Sequence, residues 1–442
     1  MRRQDGLSAT GRKGDCRAAF NVARQKCGRR HVNGSGSVRF RPVIQTHAGG
    51  NLKKSLVIAL LAVAVASIGA LTFAGDDAPV HRSVQALTSA TAQISNLGMH
   101  TIPVSAHADK PSGAAPRIPC GTGTTGIFYG INGHVRLPGV YTNTSYAVQL
   151  SQLRDLGIAL YRQDVSDEGE AQMVARLAQA AKAQCVGVFV VLTPDAQGNP
   201  DESAAYQQGY RLGHDSAMTL KGLVQYYEVG NEYDNDAILD SRSGDQPSDY
   251  DNARFVKARG AIRGMIDGVR SADPSAKIIL CGLSWLHFGF SDMLHTGTQP
   301  DGSGGHPIPQ WNITAWHWYS DMRDITCVGV RAPGGVCLGV DVLQHLKSTY
   351  GKPIWITEFG VRPDNTEDDA GTFLVGKNAL GGFVENAQKY DIQSVELYEL
   401  YDDQDNGGDG NYGVITNNGT TRKGRYDQVR EFIRAHPDPW SG

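Results

Sequence analysis

The sequence predicts a single (β/α)8 barrel spanning residues 116–440, and three observations predict it. Apolar, β-branched or aromatic runs of six to eight residues alternate with longer helical patterns. Eight such pairs fit into about 320 residues, the usual size of a closed parallel barrel. Several runs also end in a charged or polar side chain: Arg162, Asn231-Glu232, His317-Trp318-Tyr319 and Glu358. A doubly wound open sheet is the structural alternative. It usually carries a glycine-rich phosphate turn after its first strand, and Gly130-Ile131-Asn132-Gly133 lacks that GxGxxG spacing.

In chain order, the first strand is expected at Gly126–Asn132, followed by a helix over Ser145–Leu156 that stops at Gly157. Strand two is Ile158–Val165, with an Ala/Leu-rich helix over Gly169–Gln184. Strand three, Val186–Leu192, is mostly Val and Phe, and a helix follows at Ala204–Lys221. Strand four is Val224–Asn231, and the helix over Asp251–Ser271 presents Phe255, Ala261, Met265 and Val269. Strand five is Lys277–Ser284, followed by a short helix over Phe288–His295. Strand six is Ile313–Tyr319, with a helix over Val340–Tyr350. Strand seven is Ile354–Phe359, followed by one helix over Ala370–Tyr390. Strand eight is Gln393–Leu400, and the last helix is Lys423–His436.

The segments before residue 116 read differently. Residues 1–50 hold eleven Lys/Arg against two Asp, and Lys53 and Lys54 follow, so the overall charge of −3 hides a main domain of −14. An acidic domain argues against a nucleic-acid partner. Lys53-Lys54, the uncharged run Ser55–Ala74 and small residues near Ala70 or Ala74 form an export-signal pattern over 52–74. A single membrane-spanning anchor is the alternative. Residues 1–51 are expected to be an over-extended gene model, with Leu52 as a misread start, or else a basic disordered tail. Residues 75–115, rich in Ala, Ser and Thr, read as a flexible linker. The expected location is therefore exported, periplasmic or secreted, with the anchored form as the alternative. In an oxidising compartment, Cys327 and Cys337 are placed to close a loop, and Cys120 and Cys185 to meet at the barrel's N-terminal face. No cysteine/histidine spacing points to zinc, and no redox or nucleotide cofactor is implied.

Carboxylates at the C-terminal ends of barrel strands are what cleavage of a glycosidic bond requires. One acid protonates the leaving oxygen, and a second attacks the anomeric carbon or activates water. Strand alternation puts Glu228, Gly230 and Glu232 on one face, Ile354 and Ile356 with Glu358, and His317 with Tyr319 beside strand seven. Asn-Glu ending strand four, His-x-Tyr ending strand six and Trp-x-Thr-Glu-Phe-Gly ending strand seven together resemble glycoside hydrolase clan A over residues 118–440. In motif style they resemble family 39 or family 128 of that group. The resemblance implies a retaining enzyme, with Glu232 as acid/base and Glu358 as nucleophile. It also implies Asn231 on the sugar 2-hydroxyl, Tyr319 or His317 positioning Glu358, and Arg162 supporting the nucleophile. The clan often ends strand eight in Trp; here Tyr398 or Tyr401 stands in that region.

Each candidate has a blander alternative. Arg162 pairs with an interior carboxylate such as Glu228, His317 is a satisfied core histidine, and Glu228 is a structural polar group. Trp285 is either a sugar-stacking platform or core, and His134 lies in the cleft or on a surface loop. Asp402, Asp403 and Asp405 are a solvated acidic loop, or else contact calcium or sugar. The expected partner is a β-linked polysaccharide or oligosaccharide. Long loops at 233–250, 286–312 and 320–339 favour an extended cleft. A barrel that binds glycan without turnover, or a transglycosylase, are the competing functions.

Overall fold

A computed structural model describes residues 116–120, 123–403 and 410–441. The expectations for residues 1–115, and for Asp405, lie outside them. Eight strands form the barrel: β1 (Tyr129–Gly133), β2 (Leu160–Val165), β3 (Gly187–Leu192), β4 (Tyr226–Asn231), β5 (Lys277–Ser284), β6 (Thr314–Tyr319), β7 (Ile354–Gly360) and β8 (Ile392–Leu397). They pair in sequence order, and parallel β8–β1 pairing closes the ring. The barrel helices are α1 (Tyr146–Leu156), α2 (Glu168–Lys182), α3 (Glu202–Leu220), α4 (Asn252–Ala272), α5 (Phe288–Thr296), α6 (Val342–Tyr350), α7 (Glu367–Val375), α8 (Leu380–Tyr390) and α9 (Gly424–Ala435).

The helices start where side chains satisfy free N–H groups. Ser145, Asp167, Asp201, Asp251, Asp341 and Thr366 each accept from the backbone N–H three residues on. Two apolar layers then follow from strand alternation. Ile127, Leu160, Phe189, Tyr226, Ile279, Ile313, Ala315 and Trp355 form one buried cluster inside the barrel, and a larger cluster joins the outer strand faces to the helices. The interior plug fills the lower barrel and leaves polar side chains at the C-terminal mouth.

Three local expectations are corrected. Gly126 pairs with Arg117 in a short antiparallel ladder (Arg117–Cys120 with Gly123–Gly126), so β1 starts only at Tyr129. The expected helix over Ala370–Tyr390 is two helices. Gly376 turns extended (φ −79°, ψ −177°), and its carbonyl accepts from the N–H groups of Ala379 and Gly381, restarting the helix. Strand eight ends at Leu397 rather than Leu400, and the Tyr398–Glu399 peptide beyond it is cis. Both expected cysteine pairs form disulfides, Cys120–Cys185 and Cys327–Cys337, with Cα–Cα distances of 5.2 and 5.5 Å. Among the described residues no helix is long and apolar enough to cross a membrane.

Candidate active site

Alternation along β2 sends Leu160, Arg162 and Asp164 inward. Leu160 joins the interior apolar plug, Arg162 the polar layer above it, and Asp164 reaches the mouth. Arg162 is buried and tied on every side. Its Nε donates to Glu228 Oε2 (2.6 Å), Nη1 to Asn132 Oδ1 and Glu358 Oε1 (2.8 Å each), and Nη2 to Asn231 Oδ1 (2.8 Å). Burial alone would lower the guanidinium pKa. Glu228 and then Glu358 overcome that and hold it above its usual value. The two readings of Arg162 are both realised, since it pairs with the interior carboxylate and with Glu358 at once.

Glu358 reaches this position through a bulge, which alternation did not anticipate. Trp316 pairs with Ile356, but His317 pairs with Glu358, so Thr357 is an extra residue in β7. Trp355 lies in the interior cluster while Ile354 and Ile356 pack outside with the helices. Strict alternation would therefore turn Glu358 outward. With the bulge, both Thr357 and Glu358 face inward: Thr357 Oγ1 donates to Glu228 Oε1 (2.9 Å), and Glu358 meets Arg162. The expectation that Ile354 and Ile356 share the face of Glu358 is thus corrected.

A similar departure brings Glu232 into place. Gly230 is left-handed (φ 97°), where a Cβ would lie 2.6 Å from the Tyr233 ring, and Glu232 is itself left-handed (φ 46°). Asn231 and Glu232 consequently both turn to the mouth, instead of Glu232 following Gly230 and Glu228. Asn235, in the one-turn helix behind it, donates Nδ2 to Glu232 Oε2 (2.9 Å).

His317 stands between the two glutamates. Its Nδ1 is 2.9 Å from Glu232 Oε1 and 3.5 Å from Glu358 Oε2. Burial would depress this imidazole, but the Glu358 charge and the hydrogen bond to Glu232 raise it above its ordinary value. Its ring fits only because residue 282 is glycine, where a Cβ would lie 2.1 Å from Nε2. Tyr319 donates its hydroxyl to Glu358 Oε2 (2.7 Å), and burial followed by the Glu358 charge keeps that phenol well above its usual pKa. One atom each from Glu232, His317 and Glu358 lie within 4.8 Å of one another. A histidine and two carboxylates this close are also a donor set for a divalent cation. Here, however, Glu358 already accepts from Tyr319 on one oxygen and from the Arg162 guanidinium on the other, so a metal would meet a fixed positive charge.

The remaining candidates sort by position. Trp285 follows β5 in a left-handed conformation (φ 52°), half-buried, its ring stacked on Trp318 at 5.9 Å. Tyr398 is half-buried and sets its edge against His134 and Tyr319. Tyr401 is fully buried and bonds Gln152 of α1, so it belongs to the core rather than to the mouth. His134 lies in the mouth, with Nδ1 2.7 Å from Asp164 Oδ1. Asp402 pairs with Lys423, and Asp403 is buried. Sequence reasoning missed Asn132, whose Nδ2 donates to Thr357 O (3.1 Å) and whose Oδ1 holds Arg162, and also Asn235. A lone amide closing an apolar strand was the available sign for Asn132; nothing marked Asn235.

No family model and no curated protein matches the chain. Solved structures do. The chain is similar to virulence factor SghA from Agrobacterium tumefaciens, with 14% identity, a TM-score of 0.51, and coverage of 70% of this chain and 96% of that one. It is also similar to the GH1 β-glucosidase from Exiguobacterium antarcticum B7, with 13% identity, a TM-score of 0.51, and coverage of 70% and 98%. The family 1 β-glucosidase from Thermotoga maritima aligns with 12% identity, a TM-score of 0.51, and coverage of 72% and 98%. At such identity these matches speak to fold. What they share with this chain is the barrel fold.

Proposed function

We propose that the protein is a retaining glycoside hydrolase acting on a β-linked polysaccharide or oligosaccharide. The observation that carries this reading is the pair of carboxylates at the ends of β4 and β7, whose atoms approach within 4.8 Å with His317 between them. Retaining enzymes keep their carboxyl groups roughly 5–5.5 Å apart, whereas inverting ones leave room for a water at about 6.5–9.5 Å.

In this mechanism Glu358 attacks the anomeric carbon while Glu232 protonates the leaving oxygen. A glycosyl ester forms on Glu358 as the glycosidic C–O bond breaks. Glu232 then takes a proton from water, which displaces the sugar from Glu358. Arg162 and Tyr319 each hold one Glu358 oxygen, which aims the nucleophile. Asn231, oriented by Arg162 on its Oδ1, offers its amide N–H to the sugar 2-hydroxyl. Trp285 supplies an aromatic face at the edge of the mouth.

The two disulfides support an oxidising compartment, and with the signal-like segment over 52–74 they favour export. The loops after β4, β5 and β6 support an extended cleft and attack within a chain.

The test is release of reducing ends from a glycan panel, with Glu358→Ala and Glu232→Gln beside the wild type. A 2-deoxy-2-fluoro glycosyl donor is used in parallel to trap the ester for peptide mapping. Activity lost in both variants and label on Glu358 are expected. Equal activity in all three proteins, or label on another residue, overturns the reading.

A further inference from the structure

The two glutamates are held in different ways. Glu358 is 7% exposed and gripped by Arg162 and Tyr319. The side chain of Glu232 is 31% exposed and meets His317 on Oε1 and Asn235 on Oε2, each at 2.9 Å. Glu232 stands at the start of the one-turn helix Tyr233–Ala237, where a side-chain oxygen ordinarily turns in to accept from the first N–H groups. It makes no such cap. The left-handed backbone of Glu232 (φ 46°, ψ 39°) sends the carboxylate to the mouth, and the backbone N–H of Asn235 bonds the Glu232 carbonyl instead (3.0 Å). It is the side-chain amide of Asn235 that reaches the carboxylate.

Asn235 is exposed, but its neighbours fix it in place. Buried Tyr233 donates its hydroxyl to Pro194 O (2.8 Å). Buried Asp234 accepts on Oδ2 from the Ser284 N–H (3.2 Å), and the same oxygen lies 2.5 Å from His287 Nδ1. The amide is therefore presented from a rigid base. This matters because the terminal torsion of a glutamate is soft and two-fold, so a protonated Glu232 can carry its hydrogen on either oxygen. The two oxygens are not equivalent here. Oε1 is beside His317 Nδ1, which is itself 3.5 Å from Glu358 Oε2. Oε2 points back to Asn235. An N–H aimed at Oε2 needs a lone pair there, and an O–H turned the same way would oppose it.

We propose that Asn235 is a positioning residue for the acid/base: by donating to Oε2 it keeps the transferable proton of Glu232 on Oε1, on the side of His317 and Glu358. The inference rests on the glycosidase reading above and adds a residue to it that acts through Glu232 alone. In the first step the proton leaves Oε1 for the glycosidic oxygen as its bond to the anomeric carbon breaks. In the second it returns to Oε1 from the water that displaces the sugar from Glu358. The Asn235 bond to Oε2 persists through both, so the carboxyl plane does not turn over between them.

The experiment compares kcat/KM on two aryl β-glycosides of the shortest oligosaccharide that the glycan panel releases. The phenyl glycoside needs its leaving oxygen protonated; the 2,4-dinitrophenyl glycoside does not. Asn235→Leu keeps the shape and removes the N–H, and Asn235→Ala removes it without adding apolar surface. Each should lose about tenfold on the phenyl glycoside and stay within about twofold of wild type on the dinitrophenyl one. Asn235→Gln keeps an amide N–H and should lose less on the phenyl glycoside than Asn235→Leu. A purely structural role lowers both substrates alike. Equal losses on the two substrates, no loss on the phenyl glycoside, or Asn235→Gln no better than Asn235→Leu overturns the inference. Glu232→Gln is the control, with the same split but larger. If it shows that split and the Asn235 variants do not, the acid/base reading stands and this inference alone fails. If Glu232→Gln leaves both rates unchanged, or the wild type cleaves no member of the panel, both are overturned.

Discussion

Arg162 is 3% exposed and spends four hydrogen bonds, two of them on carboxylates. Replacing it with Met leaves Glu228 and Glu358 buried without their cation. Breaking a buried pair in this way costs roughly 3–5 kcal/mol, so Arg162→Met should unfold at much lower urea than wild type; a loss below about 1 kcal/mol contradicts the account. In the proposed mechanism Glu232 is the proton donor, so Glu232→Gln should lower kcat by about 10²–10⁴ on substrates with poor leaving groups. Glu399 yields a pH prediction. Burial, partly offset by His134 and Tyr141, raises its folded pKa to about 8, well above the ordinary glutamate value near 4.5. Its contribution to stability is therefore full below about pH 4.5. It is lost as pH rises to about 8, because the unfolded chain ionises first, and it is level beyond that. Glu399→Gln abolishes this dependence, so its unfolding free energy relative to wild type should rise between pH 5 and 9 by about 4 kcal/mol at most. A flat difference contradicts the assignment.

At the scale of single elements, the site depends on two irregular strand ends and one missing side chain. Gly282→Ala would set a methyl 2.1 Å from His317 Nε2, so the ring must move off the glutamates. The variant should lose kcat by at least tenfold while its far-UV circular dichroism stays that of the wild type; unchanged kcat contradicts the placement of His317. The strands themselves were legible because uncharged, Val-rich runs such as Val186–Leu192 leave little else for a buried segment to form. Glu232 and Glu358 were legible as carboxylates closing such runs, with the Asn231 amide beside the first. The bulge at Thr357 was not, because Trp355-Ile356-Thr357-Glu358 reads as ordinary alternation and the extra residue shows only in its pairing with β6. The break between α7 and α8 was masked because apolar spacing continues across Gly376. Glu399 carried no motif, and its partners His134, Tyr141 and Asp164 come from separate parts of the chain.

For the molecule as a whole, closure of β8 on β1 brings the far ends of the catalytic region together, and Cys120–Cys185 ties the short N-terminal ladder to the entry of β3. Replacing both cysteines with serine should cost about 2–4 kcal/mol in urea unfolding while kcat stays at the wild-type value, since the bond lies before β3 and the site after the strands' far ends. A large loss of kcat would contradict that separation. The same closed ring sets the spacing of Glu232 and Glu358, on which the stereochemistry of the proposed reaction rests. With atoms of the two carboxylates within 4.8 Å, the proposed mechanism has Glu358 attack the sugar directly rather than through a water. Proton NMR of the first product formed from a β-linked substrate, recorded before mutarotation, reads this directly. The account predicts the β anomer; the α anomer as first product would contradict it.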